Sequence, residues 1–156
     1  DLDGWLQEYI FRLPYKLKDI NVELEINMPL EVRDENKEKM SRAAVYLEGE
    51  HDFKSFCAVN AQVKTTVRTI YACSVTKEDD IITIRVTGNG FLYNMVRIIA
   101  GTLIQVGGGQ IEPEQMEQIL AARDREAAGP TAPAHGLTMM GIEYMEEKDI
   151  DTQGVV

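Results

Sequence analysis

Residues 66–88 read TVRTIYACSVTKEDDIITIRVTG. On either side of the charged KEDD turn the chain is β-branched and alternates apolar with polar positions, which is the pattern of two strands joined as a hairpin. Upstream, INVELEI (20–26) alternates Ile20, Val22, Leu24 and Ile26 with polar neighbours and predicts another half-buried strand, broken at Pro29 and the charged residues after it. Asp34 then offers a helix N-cap, and Met40, Ala43, Ala44 and Leu47 follow at helical spacing. Gly49 stands where a left-handed residue ends a helix. Downstream of the hairpin, the apolar run from Phe91 predicts a mostly buried helix ended by GGGQ (107–110). Pro113 suits the first turn of a further helix with Met116, Ile119 and Leu120 facing inward. RDREAAGPTAPAHG (123–136) is too rich in Gly, Pro and Ala for regular structure, and LTMMGIEYM (137–145) reads as a last strand before an acidic tail. Strand, helix, hairpin, two helices and strand make an α+β fold: a mainly antiparallel sheet with helices packed on one face.

Composition narrows what such a domain does. At 156 residues and 44% hydrophobic, the chain supports one ordinary core. No apolar run reaches membrane-spanning length, since the Phe91–Val106 stretch is short and carries Asn94, Arg97 and Gln105. No basic-then-apolar leader argues for secretion, and Cys57 and Cys73 have neither zinc-pair spacing nor the numbers for a disulfide framework, so a reduced cytoplasmic setting is expected. The net charge of −10 opposes a nucleic-acid partner, but its distribution softens that. From His51 to Ile111 six basic residues (Lys54, Lys64, Arg68, Lys77, Arg85, Arg97) meet four acidic ones (Asp52, Glu78, Asp79, Asp80), leaving the flanks to carry the negative charge.

GNGFLYN (88–94) lacks the third glycine and the crossover unit of a dinucleotide loop, and it fails the aromatic pattern of an RNA-recognition motif. Gly88 and Gly90 are better read as allowing positive φ or close backbone approach. In HDFKSF (51–56), His51 and Asp52 read first as a local hydrogen-bonded cap; with Cys57, Cys73 and His135 they show no metal-ligand spacing, and no Ser or Cys nucleophile stands beside a base. Arg97 is the sharpest feature, a permanent cation in an apolar run that needs an anionic partner if buried. Gly101, one turn on, costs a helix about 1 kcal/mol relative to Ala, so something should need its space. Either a carboxylate or phosphate approaches Arg97 through a slot of small residues, or Arg97 pairs internally with Asp52 or a glutamate.

GEHDFKSFCA (49–58), TVRTIYACSV (66–75), GNGFLYNMVRIIAGTLIQVG (88–107) and GPTAPAHGLTMMGIEY (129–144) closely resemble, in order and spacing, the C-terminal half of the tRNA pseudouridine synthase A family. The resemblance covers residues 29–145, implies a pseudouridine-synthase-like fold for them, and leaves 1–28 as a loosely placed N-terminal segment and 146–156 as the acidic tail. It implies isomerisation of uridine to pseudouridine in the tRNA anticodon stem-loop, at positions 38 to 40, without a cofactor or metal, by a homodimer. An aspartate acts as nucleophile, and the uracil is detached, turned and rejoined through carbon 5, after extrusion of the nucleotide from its stack. The family's arginine falls on Arg97, which pairs with that aspartate, and its leucine falls on Leu137, beside the target base. His51, Asp52 and Phe53 fall on a block supporting the site on the RNA side. Lys54, Lys64, Arg68, Tyr93 and Asn94 complete the expected RNA-binding set.

The nucleophile's Arg-Thr-Asp motif, followed by Gly-Val-His, does not occur in the sequence. Asp3-Gly4 has neither the Arg-Thr before it nor the Val-His after it, and RLPYKL (12–17) does not fit the family's Arg-x-Tyr-x-Tyr pattern. The expectation is therefore a fragment, inactive alone. A non-catalytic RNA-binding or assembly module on the same scaffold is the alternative.

Overall fold

The computed structural model describes residues 21–59 and 61–143. Ile20, Asp3-Gly4, RLPYKL, Tyr144, Met145 and the tail 146–156 lie outside the described residues. The order is β1 (Asn21–Pro29), α1 (Asp34–Val45), β2 (Gly49–Asp52), β3 (Val67–Glu78), β4 (Ile81–Gly88), α2 (Met95–Gly107), α3 (Gln115–Ala122) and β5 (Leu137–Glu143). The strands form one sheet in the order β2-β3-β4-β1-β5, with every neighbouring pair antiparallel, so the fold is α+β as the sequence predicts.

β3 and β4 pair up to Glu78↔Ile81 and turn at Asp79-Asp80, with Asp79 at φ 54°. A register shift between Ile70 and Ala72 has a simple consequence for β3. The extra residue lets even-numbered Ile70 and odd-numbered Cys73 and Val75 all face the core. Across from them lie Ile82, Ile84 and Val86 of β4 and Val22, Leu24 and Ile26 of β1, all buried. α1 contributes Met40, Ala43 and Ala44, and α2 contributes Val96, Ile99, Leu103 and Val106 to the same core. The opposite sheet face is polar: Arg85 ion-pairs with both Glu23 and Glu25, and Thr83 donates to the Asn27 carboxamide.

Five local expectations are corrected. Asp34 is the first helical residue and not the N-cap; Arg33 caps without a side-chain hydrogen bond, and Asp34 with Glu35 lies in the first turn, where the helix dipole favours acids. Residues 49–52 form an edge strand, paired through His51↔Arg68 and Asp52↔Val67, where the sequence suggested a capped loop. Gly49 opens it at φ 102°, the positive φ foreseen for it, but it does not end the helix, which stops at Val45 with Tyr46 as its C-cap. α2 begins at Met95 and not Phe91, because Gly90 (φ 150°) and Asn94 (φ 62°) take conformations no α-helix contains; Phe91 and Leu92 are nonetheless buried ahead of the turn at Tyr93-Asn94. Pro113 precedes α3 by two residues, although Met116, Ile119 and Leu120 do face inward. Gly88 meets the close approach expected of it, since a Cβ there would lie 2.6 Å from the Thr69 carbonyl oxygen.

Candidate functional site

Arg97 sits half-buried in the first turn of α2, with Val96 and Ile98 beside it in the core. Its Nε donates to the Ala132 carbonyl at 2.8 Å and its Nη1 to Asn94 Oδ1 at 3.1 Å, while the Arg97 carbonyl accepts from Ala132 N at 3.0 Å. Asn94 holds its strained backbone while its carboxamide faces Arg97 instead of capping the helix. Among the described residues no carboxylate pairs with Arg97, and its Nη2 donates to none of them. Asp52 is engaged elsewhere: its carboxylate accepts from Thr66 Oγ1 and Lys54 N and lies 3.6 Å from the Arg123 guanidinium.

The space at Gly101 has a different occupant from the approaching anion considered above. A Cβ there would lie 1.6 Å from the Pro130 carbonyl oxygen and 2.7 Å from its carbon. The segment 129–133 of the irregular loop lies as a strap directly on α2, and Gly101 is the gap that admits it. Thr102, fully buried, donates to the Ile98 carbonyl and accepts from Gly129 N at 2.8 Å. Past the strap, Gly136 lies so close to β1 that a Cβ would meet the Asn27 carbonyl at 2.0 Å, and Leu137 enters β5 opposite Ile26, 8% exposed and part of the core.

The other expected residues gather at the β2 end of the sheet. His51 is half-buried, its Nε2 2.8 Å from the Glu48 carbonyl and its ring edge-on to Phe53. Phe53 is fully buried against Phe56 and presents no surface to an RNA; its part is to support His51 from below. Lys54 and Lys64 are exposed. Arg68 is partly buried, which pulls its pKa down, and its Nη1 is bound to the Thr65 and Val67 carbonyls at 2.8 Å each. Tyr93 is half-buried, and its carbonyl accepts from Ala58 N. Arg97 and Asn94 thus come together, the half-buried Asn94 accepting from the guanidinium through its Oδ1.

Two arginines absent from the expected set belong to this region. Lys54, Arg123 and Arg125 line a groove of about 340 Å³ with Asp124 and Glu126, and Arg123 also closes a neighbouring cleft of about 570 Å³ lined by Tyr46, His51 and Asp52. Only their place in an irregular, charged segment hinted at them. The cysteines are not nucleophile candidates: burial pushes the Cys73 thiol up to about 12 and raises Cys57 as well, so both are protonated at neutral pH.

A family model described as tRNA pseudouridine synthase matches residues 43–145. Curated relatives include tRNA pseudouridine synthase A of Bacillus pumilus, 55% identical over 69% of this chain and 43% of the relative. The Brevibacillus brevis protein of that name is 52% identical over 76% and 47%, and tRNA pseudouridine synthase A 1 of Bacillus cereus is 41% identical over 91% and 50%. The chain spans about half the length of the relatives it matches.

Proposed function

Because this chain belongs to the tRNA pseudouridine synthase family, we propose that it forms the part of such an enzyme that presents Arg97 to the nucleophilic aspartate. The observation that carries this reading is a half-buried guanidinium held at Nε and Nη1 that pairs with no carboxylate among the described residues. Two of the fork's five N–H donors are used by described residues, and among these Nη2 and one Nη1 hydrogen are left for an incoming carboxylate. Such a pair keeps the aspartate ionised and aimed. Leu137 and the apolar residues behind it keep water away from the sugar–aspartate intermediate. The reaction is an isomerisation: the bond from the sugar to N1 of uracil breaks, one to C5 forms, and the C5 proton is lost as N1 regains one.

The substrate on this reading is a uridine of the tRNA anticodon stem-loop, bound in the cytoplasm by two copies of the enzyme. The test is pseudouridine formation in unmodified tRNA. The chain alone should give none, and turnover by it would overturn the view that the nucleophile lies on a segment it lacks. Adding a segment that carries Arg-Thr-Asp should give turnover, and Arg97→Lys should then lower kcat by at least about 100-fold, as expected when a reacting group is misplaced.

A further inference from the structure

The residues that hold the 129–133 strap on α2 form a chain of contacts that ends at Arg97. GPTAP has no ladder of its own, so its backbone groups must find other partners. On the helix side these are Thr102 Oγ1 for Gly129 N, the Arg97 carbonyl for Ala132 N, and Arg97 Nε for the Ala132 carbonyl. On the other side stands Arg125, whose Nη1 donates to the Gly129 carbonyl at 2.8 Å and whose Nη2 donates to Thr131 Oγ1 at 3.2 Å. One planar guanidinium therefore spans two points of the strap and fixes the curve between them, which the single ammonium of a lysine does not reproduce. Between those points the Pro130 carbonyl rests on Gly101 with no room for a methyl group. A strap held so closely passes any displacement on to Ala132, which is 4% exposed, and so to the acceptor of Arg97 Nε.

We propose that Arg125 is a positioning residue for Arg97, acting through the 129–133 strap; its catalytic consequence rests on the functional reading of Arg97 given above. Arg125 holds the strap, the strap holds the Ala132 carbonyl, and the carbonyl fixes the guanidinium in the orientation that meets a carboxylate.

Two measurements test this, and they fail separately. In the chain, the Nε–H signal of Arg97 is followed by NMR. Arg125→Gln should speed its exchange with water by about tenfold, and Arg125→Lys should fail to restore the slow rate, because only the fork reaches both acceptors. An unchanged exchange rate overturns the proposal. In an active full-length enzyme containing these residues, Arg125→Gln should lower kcat about tenfold with KM within about twofold, since misplacement of a reacting group affects the chemical step. Faster exchange with unchanged kcat overturns the positioning role. If Arg125→Gln does not fold, Thr131→Val removes only the Nη2 acceptor and should speed exchange about threefold, in keeping with loss of one of two hydrogen bonds; no change overturns the proposal. Unchanged kcat on Arg97→Lys overturns the functional reading of Arg97, while the exchange rate still decides whether Arg125 holds it.

Discussion

Arg85 and Arg97 show how differently one residue type is used on two faces of a single domain. Arg85 is half-exposed on the polar sheet face and ion-pairs with Glu23 and Glu25 across β4 and β1. Arg97 is half-buried on the helical side and spends its hydrogen bonds on uncharged oxygens. The first arrangement has a pH signature. The Arg85 guanidinium, and after it the Asn27 carboxamide, hold the Glu25 carboxyl below the usual glutamate range against the opposing effect of burial. A carboxyl whose folded pKa is depressed contributes stability that is present above its unfolded pKa and lost as pH falls through the folded one. Arg85→Met should therefore lower the urea midpoint near neutral pH, and the gap between variant and wild type should narrow as pH falls through the ordinary glutamate range at about 4.3 and close below the depressed pKa of Glu25. A gap that persists unchanged into acid would mean the loss came from packing of the arginine stem and not from the ion pair. The effect is small because the Arg85 side of the pair is half-exposed to solvent.

At the scale of elements, legibility followed the strength of the periodic signal. β1, β3 and β4 alternate over enough residues to be read directly, and α1 shows its buried face at Met40, Ala43 and Ala44, with Leu47 buried just past its end. β2 does not: four residues, exposed or half-buried throughout, carry no alternation, and it exists because β3 offers an edge to pair with. Periodicity misplaces the start of α2 because burial and helicity diverge there, Phe91 and Leu92 being core residues ahead of the turn that leads into the helix. Arg97 and its neighbour Asn94 were visible in the sequence, but the strap was not, since nothing local tells a Gly-Pro-Ala loop to lie on a helix. Gly101 was the clue, and the space it makes belongs to the protein's own backbone. That assignment yields a sign that propensity alone gets wrong. Helix propensity makes Gly101→Ala stabilising by about 1 kcal/mol, whereas a methyl group 1.6 Å from the Pro130 carbonyl must push backbone aside. Overpacking costs typically about 1–3 kcal/mol, so the net effect should be destabilising, read as a lower urea midpoint with an unchanged slope. A raised midpoint would show that the strap does not lie on α2 in solution.

For the molecule as a whole, the proposed function requires a chain of net charge −10 to meet a polyanion. Its positive charge is not spread evenly over the fold. Lys54, Arg123 and Arg125 line one groove, and Arg68 stands opposite His51 on the β2 edge of the sheet, while the acids Asp52, Asp124 and Glu126 lie among them. Lys77 is at the far end of β3, paired with Asp34 at 3.0 Å, and Arg85 is committed to Glu23 and Glu25. Among the described residues at this end, Lys54, Lys64 and Arg123 are exposed, and about three such cations displacing counterions from RNA set the slope of log K against log salt at about −2 to −3 for this chain alone. The surrounding negative field weakens the encounter further. Binding of an anticodon stem-loop RNA, followed by fluorescence anisotropy over a salt series, should therefore be weak and show that slope. Lys54→Glu should reduce it by about one and weaken binding, as loss of one phosphate contact does, while Lys77→Glu should leave both the slope and the affinity at low salt far less affected. Equal effects from the two substitutions would mean that net charge alone governs the encounter. A slope beyond about −5 would require a basic surface wider than the β2 end provides.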